Sequence, residues 1–190
     1  MGECDVERCW GSATVEEAAY HDARWCVPQH DDRELFAMLE LEGMQAGLSW
    51  KTILLKERAI RAAFDDFDPA EVAAYDDVEI ERVLAAPGVI RNRAKVRCAV
   101  SNAQAFLEVQ REWGSFDAYI WHFTDGKVVD HRLGSMADMP ACDEMSEIVS
   151  TDLKKRGFKF VGPVIVYSYL QGIGVYNDHL LSCPYRNHAE

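Results

Sequence analysis

The chain has 190 residues, 48% of them hydrophobic, and a formal net charge of −12. The apolar share is enough for a core in one domain or two closely packed lobes, and the acidic excess excludes nucleic-acid binding by the surface as a whole while leaving room for a local basic face. No run of about 18 apolar residues occurs, so no membrane partner is expected, and "MGECDVERCWGS" has neither the apolar stretch of a secretory signal nor the Ser or Thr at position 6 of a myristoylation signal.

Eight helices are predicted in chain order. Residues 31–48, "DDRELFAMLELEGMQAGL", read as an amphipathic helix capped by Asp31 or Asp32, with Leu35, Phe36, Met38 and Leu39 as its apolar stripe. Ser49 caps a second helix over 49–64. In 66–75 the cap is Asp68, with Pro69 at the first helical position. A short helix over 77–86 is broken by "PGVI" at 87–90, and a long one follows over 91–113. The segment 115–123 is shorter, "DGK" at 125–127 is a turn, and 145–157 is helical up to Gly157 as a C′ glycine. The run "PVIVYSYLQGIGV" over 163–175 is apolar with helical period. Only "KVVDHRL" carries a strand signal, so the fold class is all-α.

Six cysteines, at 4, 9, 26, 98, 142 and 183, lack framework spacing. In the cytoplasmic chain expected here they read as thiols or metal ligands rather than disulfides. "NDHLLSC" places His179 and Cys183 four apart, on one face if helical, which suits half a zinc site. Cys9 and His21 near the other end complete a Cys₂His₂ set, with Cys4 as a rival ligand. An ordinary buried thiol and a hydrogen-bonded histidine fit the same residues. A closed set of four would do no chemistry and would tie the two chain ends together.

"VLAAPGVIRNRAKV" (83–96) joins two helices by a Pro-Gly turn, with Val89 and Ile90 turned back into the pair. Gly88 can take positive φ, and the free amides at the start of the next helix make a phosphate seat, with Arg91, Arg93, Lys95 and Arg97 following at once. A plain helical hairpin with a solvated basic face is the alternative. "KKRGFK" (154–159) is a second basic cluster. Glu42 lies three, four and seven residues from Leu39, Met38 and Leu35, on the apolar stripe, where a bare carboxylate costs several kcal/mol. Gln45 is one turn further on. Tyr20, Trp25 and Trp50 are nearby in sequence, and an aromatic pocket with a carboxylate floor suits a flat cationic ligand. A structural ion pair to an arginine is the other explanation of Glu42.

"AYHDARWCVP", "LFAMLELEGMQAGLSWKTIL", "AAPGVIRNRAKV", "LKKRGFKFVGP" and "GVYNDHLLSC" resemble, in order and over nearly the whole chain, the signature blocks of the DNA-3-methyladenine glycosylase I family of the helix-hairpin-helix superfamily. The resemblance implies a single unit over 1–190, of two packed helical lobes with the base pocket between them. It implies structural Zn²⁺ on Cys9, His21, His179 and Cys183, and a base pocket of Glu42, Trp50 and Tyr20 with Trp25 as a further aromatic. The hairpin amides at Gly88 and Ile90, with Arg91 and Arg93, would hold the DNA backbone. The implied activity is that of a monomeric, monofunctional glycosylase. It would flip 3-methyladenine from alkylated double-stranded DNA, hydrolyse its N-glycosidic bond and release the free base. Where other superfamily members carry an aspartate after the hairpin, this chain reads "AVSNAQAF", and Asn102 cannot be an ionised group. Three departures stand out: "CW" replaces a Cys-x-Trp at Trp10, Glu17 stands where a second pocket tyrosine is common, and Cys26 replaces a glycine. The first two leave a non-cleaving, zinc-stabilised lesion-binding module of the same fold as the alternative.

Overall fold

The structure is a computed structural model that describes residues 8–189; Cys4 and the myristoylation reading lie outside the described residues. The described residues form nine α-helices: α1 (Val15–Ala23), α2 (Asp32–Gln45), α3 (Trp50–Ala63), α4 (Pro69–Ala73), α5 (Asp77–Ala85), α6 (Arg93–Trp113), α7 (Phe116–Trp121), α8 (Glu144–Lys155) and α9 (Pro163–Gly172). The eight predicted helices are all present, mostly shorter at their ends. The ninth, α1, is one the sequence did not suggest: only Tyr20 and His21 of its nine residues are buried, so no apolar stripe marks it. Two two-residue strands, β1 (Val129–Asp130) within the predicted extended segment and β2 (Tyr176–Asn177), pair in parallel.

The predicted caps hold. Asp31, Ser49 and Asp68 each accept backbone N–H groups in the first turn of α2, α3 and α4, and Pro69 opens α4. The helix over residues 31–48 was expected to be amphipathic. Instead every residue of α2 from Leu35 to Met44 is buried, because α2 packs against α3, α6, α7 and α9 on its several sides. Glu40 and Glu42 are therefore both inside the protein. The side chain of Asp32, at the start of α2, also accepts the Phe116 and Asp117 amides at the start of α7.

At the end of α9 the chain closes on the segment after α1. Gly174, at φ +72°, lies where a Cβ would meet Val27 backbone carbon at 2.2 Å, and the Gln171 and Ile173 carbonyls accept the Cys26 and Gln29 amides at 2.9 and 3.0 Å. This crossing holds the segment after α1 against the end of α9, the helix that packs on α2.

Candidate active site

Tyr20 of α1, Trp25 after it, Glu42 and Gln45 of α2, and Trp50 at the start of α3 line one open cavity. All five residues read from the sequence as a base pocket thus converge. Trp10 joins them, standing edge-on to Trp25 at 5.1 Å between ring centroids, so the missing residue of the Cys-x-Trp pattern does not turn this ring away. Four more lining residues carry no signal in the sequence: Met136 and Met139 from the loop before α8, and Ser168 and Gln171 from α9. The last two sit in an apolar run that reads as plain core helix.

Glu42 is buried, and its Oε2 has no hydrogen-bond partner among the described residues. The structural ion pair that would explain it blandly is not made. Burial alone pushes its carboxyl up to about 8. Tyr20 is also buried, and burial, together with the nearby Glu42, raises its phenol well above the usual range, so it holds its proton and can donate it in a hydrogen bond. Its ring meets Trp50 at 5.1 Å and 61°. The indole Nε1 atoms of Trp10 and Trp50 are buried without partners among the described residues. The cavity therefore offers aromatic faces, one acceptor carboxyl and several donors to a flat polar ring.

Glu17, at the sequence position of a family pocket tyrosine, is turned elsewhere. Its backbone N–H donates to Thr14 Oγ1 at 3.2 Å and its carboxylate accepts from the same hydroxyl at 3.1 Å, closing the start of α1. Cys26 adopts φ +61°, the left-handed conformation that explains a glycine there, and its Sγ accepts the Asp178 amide at 3.3 Å. Asn102 does not line the cavity. It donates to Glu40 Oε1 at 2.8 Å and its Oδ1 accepts the Lys159 amide at 2.7 Å, tying α2, α6 and the turn after α8. Buried Glu40, a carboxyl the sequence reading passed over, is pushed up to about 7, by desolvation against the Asn102 bond.

Cys9, His21, His179 and Cys183 form a second cluster, with all four ligand atoms within 4.8 Å of one another. The Sγ–N separations are 3.1 and 3.7 Å from Cys9 to His21 and His179, and 3.7 and 3.4 Å from Cys183 to the same two rings. A tetrahedral ion with sulfur at about 2.3 Å and nitrogen at about 2.0–2.1 Å sets those edges near ~3.6 Å. The outer nitrogens are also placed for metal binding. His21 Nδ1 is 2.9 Å from Asp22 Oδ1, and His179 Nε2 is 3.3 Å from the Trp25 carbonyl, so each inner nitrogen is left with its lone pair. Desolvation, opposed by hydrogen bonds and reinforced by Cys183, leaves the Cys9 thiol raised to about 11, and a bound cation is what would draw that proton off. The stretch around His179 is not helical, contrary to the spacing argument: it follows β2, and a turn closed by the Cys183 amide on the Leu180 carbonyl at 2.8 Å brings Cys183 back to His179.

The third group lies between α5 and α6. Gly88 has φ +83°, and a Cβ there would stand 2.8 Å from Ala59 Cβ on α3, while Val89 is buried and Ile90 partly so. The Gly88 carbonyl accepts from Lys56 Nζ at 2.9 Å. No described group accepts the Gly88, Val89 or Ile90 amides. The expected cluster of four cations is smaller than it looked. Lys95 points inward and closes the end of α2 by donating to the Met44 and Ala46 carbonyls at 2.7 Å each; Arg93 pairs with Glu81, and Arg97 with Asp77 at 3.3 Å. Arg91 is exposed and pairs with no described residue.

Residues 10–187 match the model of the methyladenine glycosylase family. The chain belongs to the methyladenine glycosylase family. Among curated methyladenine glycosylases, it is 41% identical over 179 residues to DNA-3-methyladenine glycosylase 1 of Escherichia coli, covering 94% of this chain and 96% of that one. Its fold matches a crystal structure of a tyrosine-to-phenylalanine variant of 3-methyladenine DNA glycosylase I in complex with 3-methyladenine, with a TM-score of 0.93, 36% identity and coverage of 97% of this chain and 99% of the other. A structure on 3-methyladenine recognition by the Staphylococcus aureus enzyme gives a TM-score of 0.92 at 38% identity, covering 95% and 96% of the two chains.

Proposed function

We propose that this protein is a DNA-3-methyladenine glycosylase that removes 3-methyladenine from alkylated duplex DNA by hydrolysing its N-glycosidic bond. The observation that carries the reading is Glu42: a buried, unpartnered carboxyl at the floor of an aromatic cavity, beside a tyrosine that keeps its proton. The base must leave the stack to reach such a cavity. It stacks on Trp50, with Trp25 and Trp10 closing the pocket and Glu42, Gln45 and Tyr20 meeting its polar edge. In the methylated nucleoside the base is cationic, and its charge draws the proton off Glu42. Water oxygen then bonds to C1′, the C1′–N9 bond breaks, its electron pair neutralises the departing base, and the proton of the water passes to solvent. The product is an abasic site. No lysine adduct takes part, so no strand cleavage follows.

The α5–α6 connection serves as the hairpin of the superfamily. The Gly88 and Ile90 amides and Arg91 hold phosphates, with Arg93 exchanging Glu81 for one, and they position the duplex without reading sequence. Lys56 links this hairpin to α3, whose first residue is Trp50; six residues at 1.5 Å each set the anchor about 9 Å along the helix from the stacking ring. The cluster of Cys9, His21, His179 and Cys183 holds one structural Zn²⁺. The chain, 1–190, acts as one monomeric unit in the cytoplasm, with the pocket between the lobe that carries the chain ends and the lobe that carries the hairpin. The two departures behind a non-cleaving module lose their force, since Glu17 closes a helix and Trp10 lines the cavity. The test is release of free 3-methyladenine from methylated duplex by purified protein, with Glu42→Ala as control; no release by the wild type defeats the proposal.

A further inference from the structure

Gln171 reaches the cavity from α9, and its amide is held one way round. Its Nε2 lies 2.7 Å from Asp178 Oδ2 and 3.3 Å from Met139 Sδ. A carboxylate only accepts, so the atom facing it must be the NH₂ and not the carbonyl oxygen. Asp178 is itself fixed. It is fully buried; His131 Nδ1 lies 2.6 Å from its Oδ1, and Tyr167 donates to its Oδ2 at 2.7 Å. With both N–H directions spent on Asp178 and Met139, the one polar atom Gln171 has left is Oε1, and no described group donates to it. The cavity is thus lined by two acceptors from different helices, Glu42 on α2 and Gln171 on α9.

We infer that Gln171 is a specificity-determining residue, locked by Asp178 as a pure acceptor, that selects 3-alkylated purines with an exocyclic amine at position 6 and rejects those with a carbonyl there. The inference rests on the glycosylase reading above. An adenine-type base places N–H donors against both acceptors. A guanine-type base sets its O6 lone pairs against Gln171 Oε1, which has no proton to give, and two buried acceptors face to face leave both unsatisfied. An unlocked glutamine could turn its amide and serve either base; the Asp178 carboxylate removes that choice. Asp178 acts through Gln171 and is a positioning residue.

The experiment measures single-turnover release of 3-methyladenine and of 3-methylguanine from the same methylated duplex. Gln171→Met keeps the length of the side chain and removes the acceptor. It should lower 3-methyladenine release on the order of tenfold, the worth of one buried hydrogen bond, while 3-methylguanine release stays unchanged or rises. Asp178→Asn, which lets the Gln171 amide turn, should move the ratio the same way. An unchanged ratio in Gln171→Met, whether both rates fall or neither does, overturns the inference, and an unchanged ratio in Asp178→Asn overturns the positioning role. In the wild type, nuclear Overhauser contacts should run from the Gln171 side-chain NH₂ to the Met139 methyl and persist with 3-methyladenine bound. Contacts from that NH₂ to the base would overturn the inference without any variant. Wild type that releases no 3-methyladenine at all is a different result, and defeats the glycosylase reading instead.

Discussion

Glu42 is the residue on which the proposed chemistry turns, and its protonation state follows from where it sits. Burial lifts its pKa to about 8 from an ordinary value of 4.5. A carboxyl raised in this way favours folding while protonated, so its contribution is complete below about pH 4.5 and is lost as the pH climbs through 8. Glu42→Gln keeps the shape and removes the loss. Denaturant unfolding should find the variant gaining on the wild type by on the order of 2–4 kcal/mol between pH 5 and pH 9. The same substitution should weaken binding of free 3-methyladenine by about 2 kcal/mol or more in calorimetry, since it turns half of a buried acceptor into a donor. A variant that is no more stable at high pH would mean the carboxyl is solvated or paired. Trp50→Ala should cost about 1–3 kcal/mol of base affinity through lost stacking, with folding intact because the ring is only partly buried.

At the scale of elements, the turn between α5 and α6 is the proposed anchor of the duplex. Gly88 stands in the left-handed region with Ala59 2.8 Å from where a Cβ would be, so Gly88→Val both strains the backbone and pushes the turn off α3. Such a variant should lose affinity for duplex DNA while binding the free base nearly as before. Arg91→Ala should weaken methylated and unmethylated duplex about equally and reduce the salt slope by about one. Arg93→Ala should do less, because the Glu81 carboxylate already competes for that guanidinium. A loss confined to methylated DNA would mean that Arg91 reads the lesion. This difference between two neighbouring arginines was invisible in "RNRAKVR", where all four cations look alike; pairing across helices is a tertiary fact. The same holds for Gln171, whose partner Asp178 lies beyond the helix and fixes an amide that sequence alone leaves free. Glu42 was legible because a carboxylate on an apolar stripe contradicts its own neighbours. Helix α1 was not, because its inward face is two residues wide.

For the molecule as a whole, an ion on the four-ligand cluster would decide how the chain ends are held. Cys9 and His179 are 170 residues apart, and a link over that separation removes chain entropy worth about 5 kcal/mol from the unfolded state. The cluster also touches the pocket. His21 follows Tyr20 on α1, and His179 faces the carbonyl of Trp25, so an ion on these ligands fixes two walls of the cavity without meeting the base. Protein purified without chelator should therefore hold one equivalent of zinc, and Cys183→Ala should lower the melting temperature by roughly 10–20 °C. Because no ligand faces the reacting atoms, excision should survive in that variant at low temperature and fail on warming. Metal analysis with no zinc in the wild type would remove the ion, and full loss of excision in a folded Cys183→Ala protein at low temperature would give the cluster a part in the chemistry. Loss of metal in Cys4→Ala but not in Cys9→Ala would move one ligand and leave the tie itself in place.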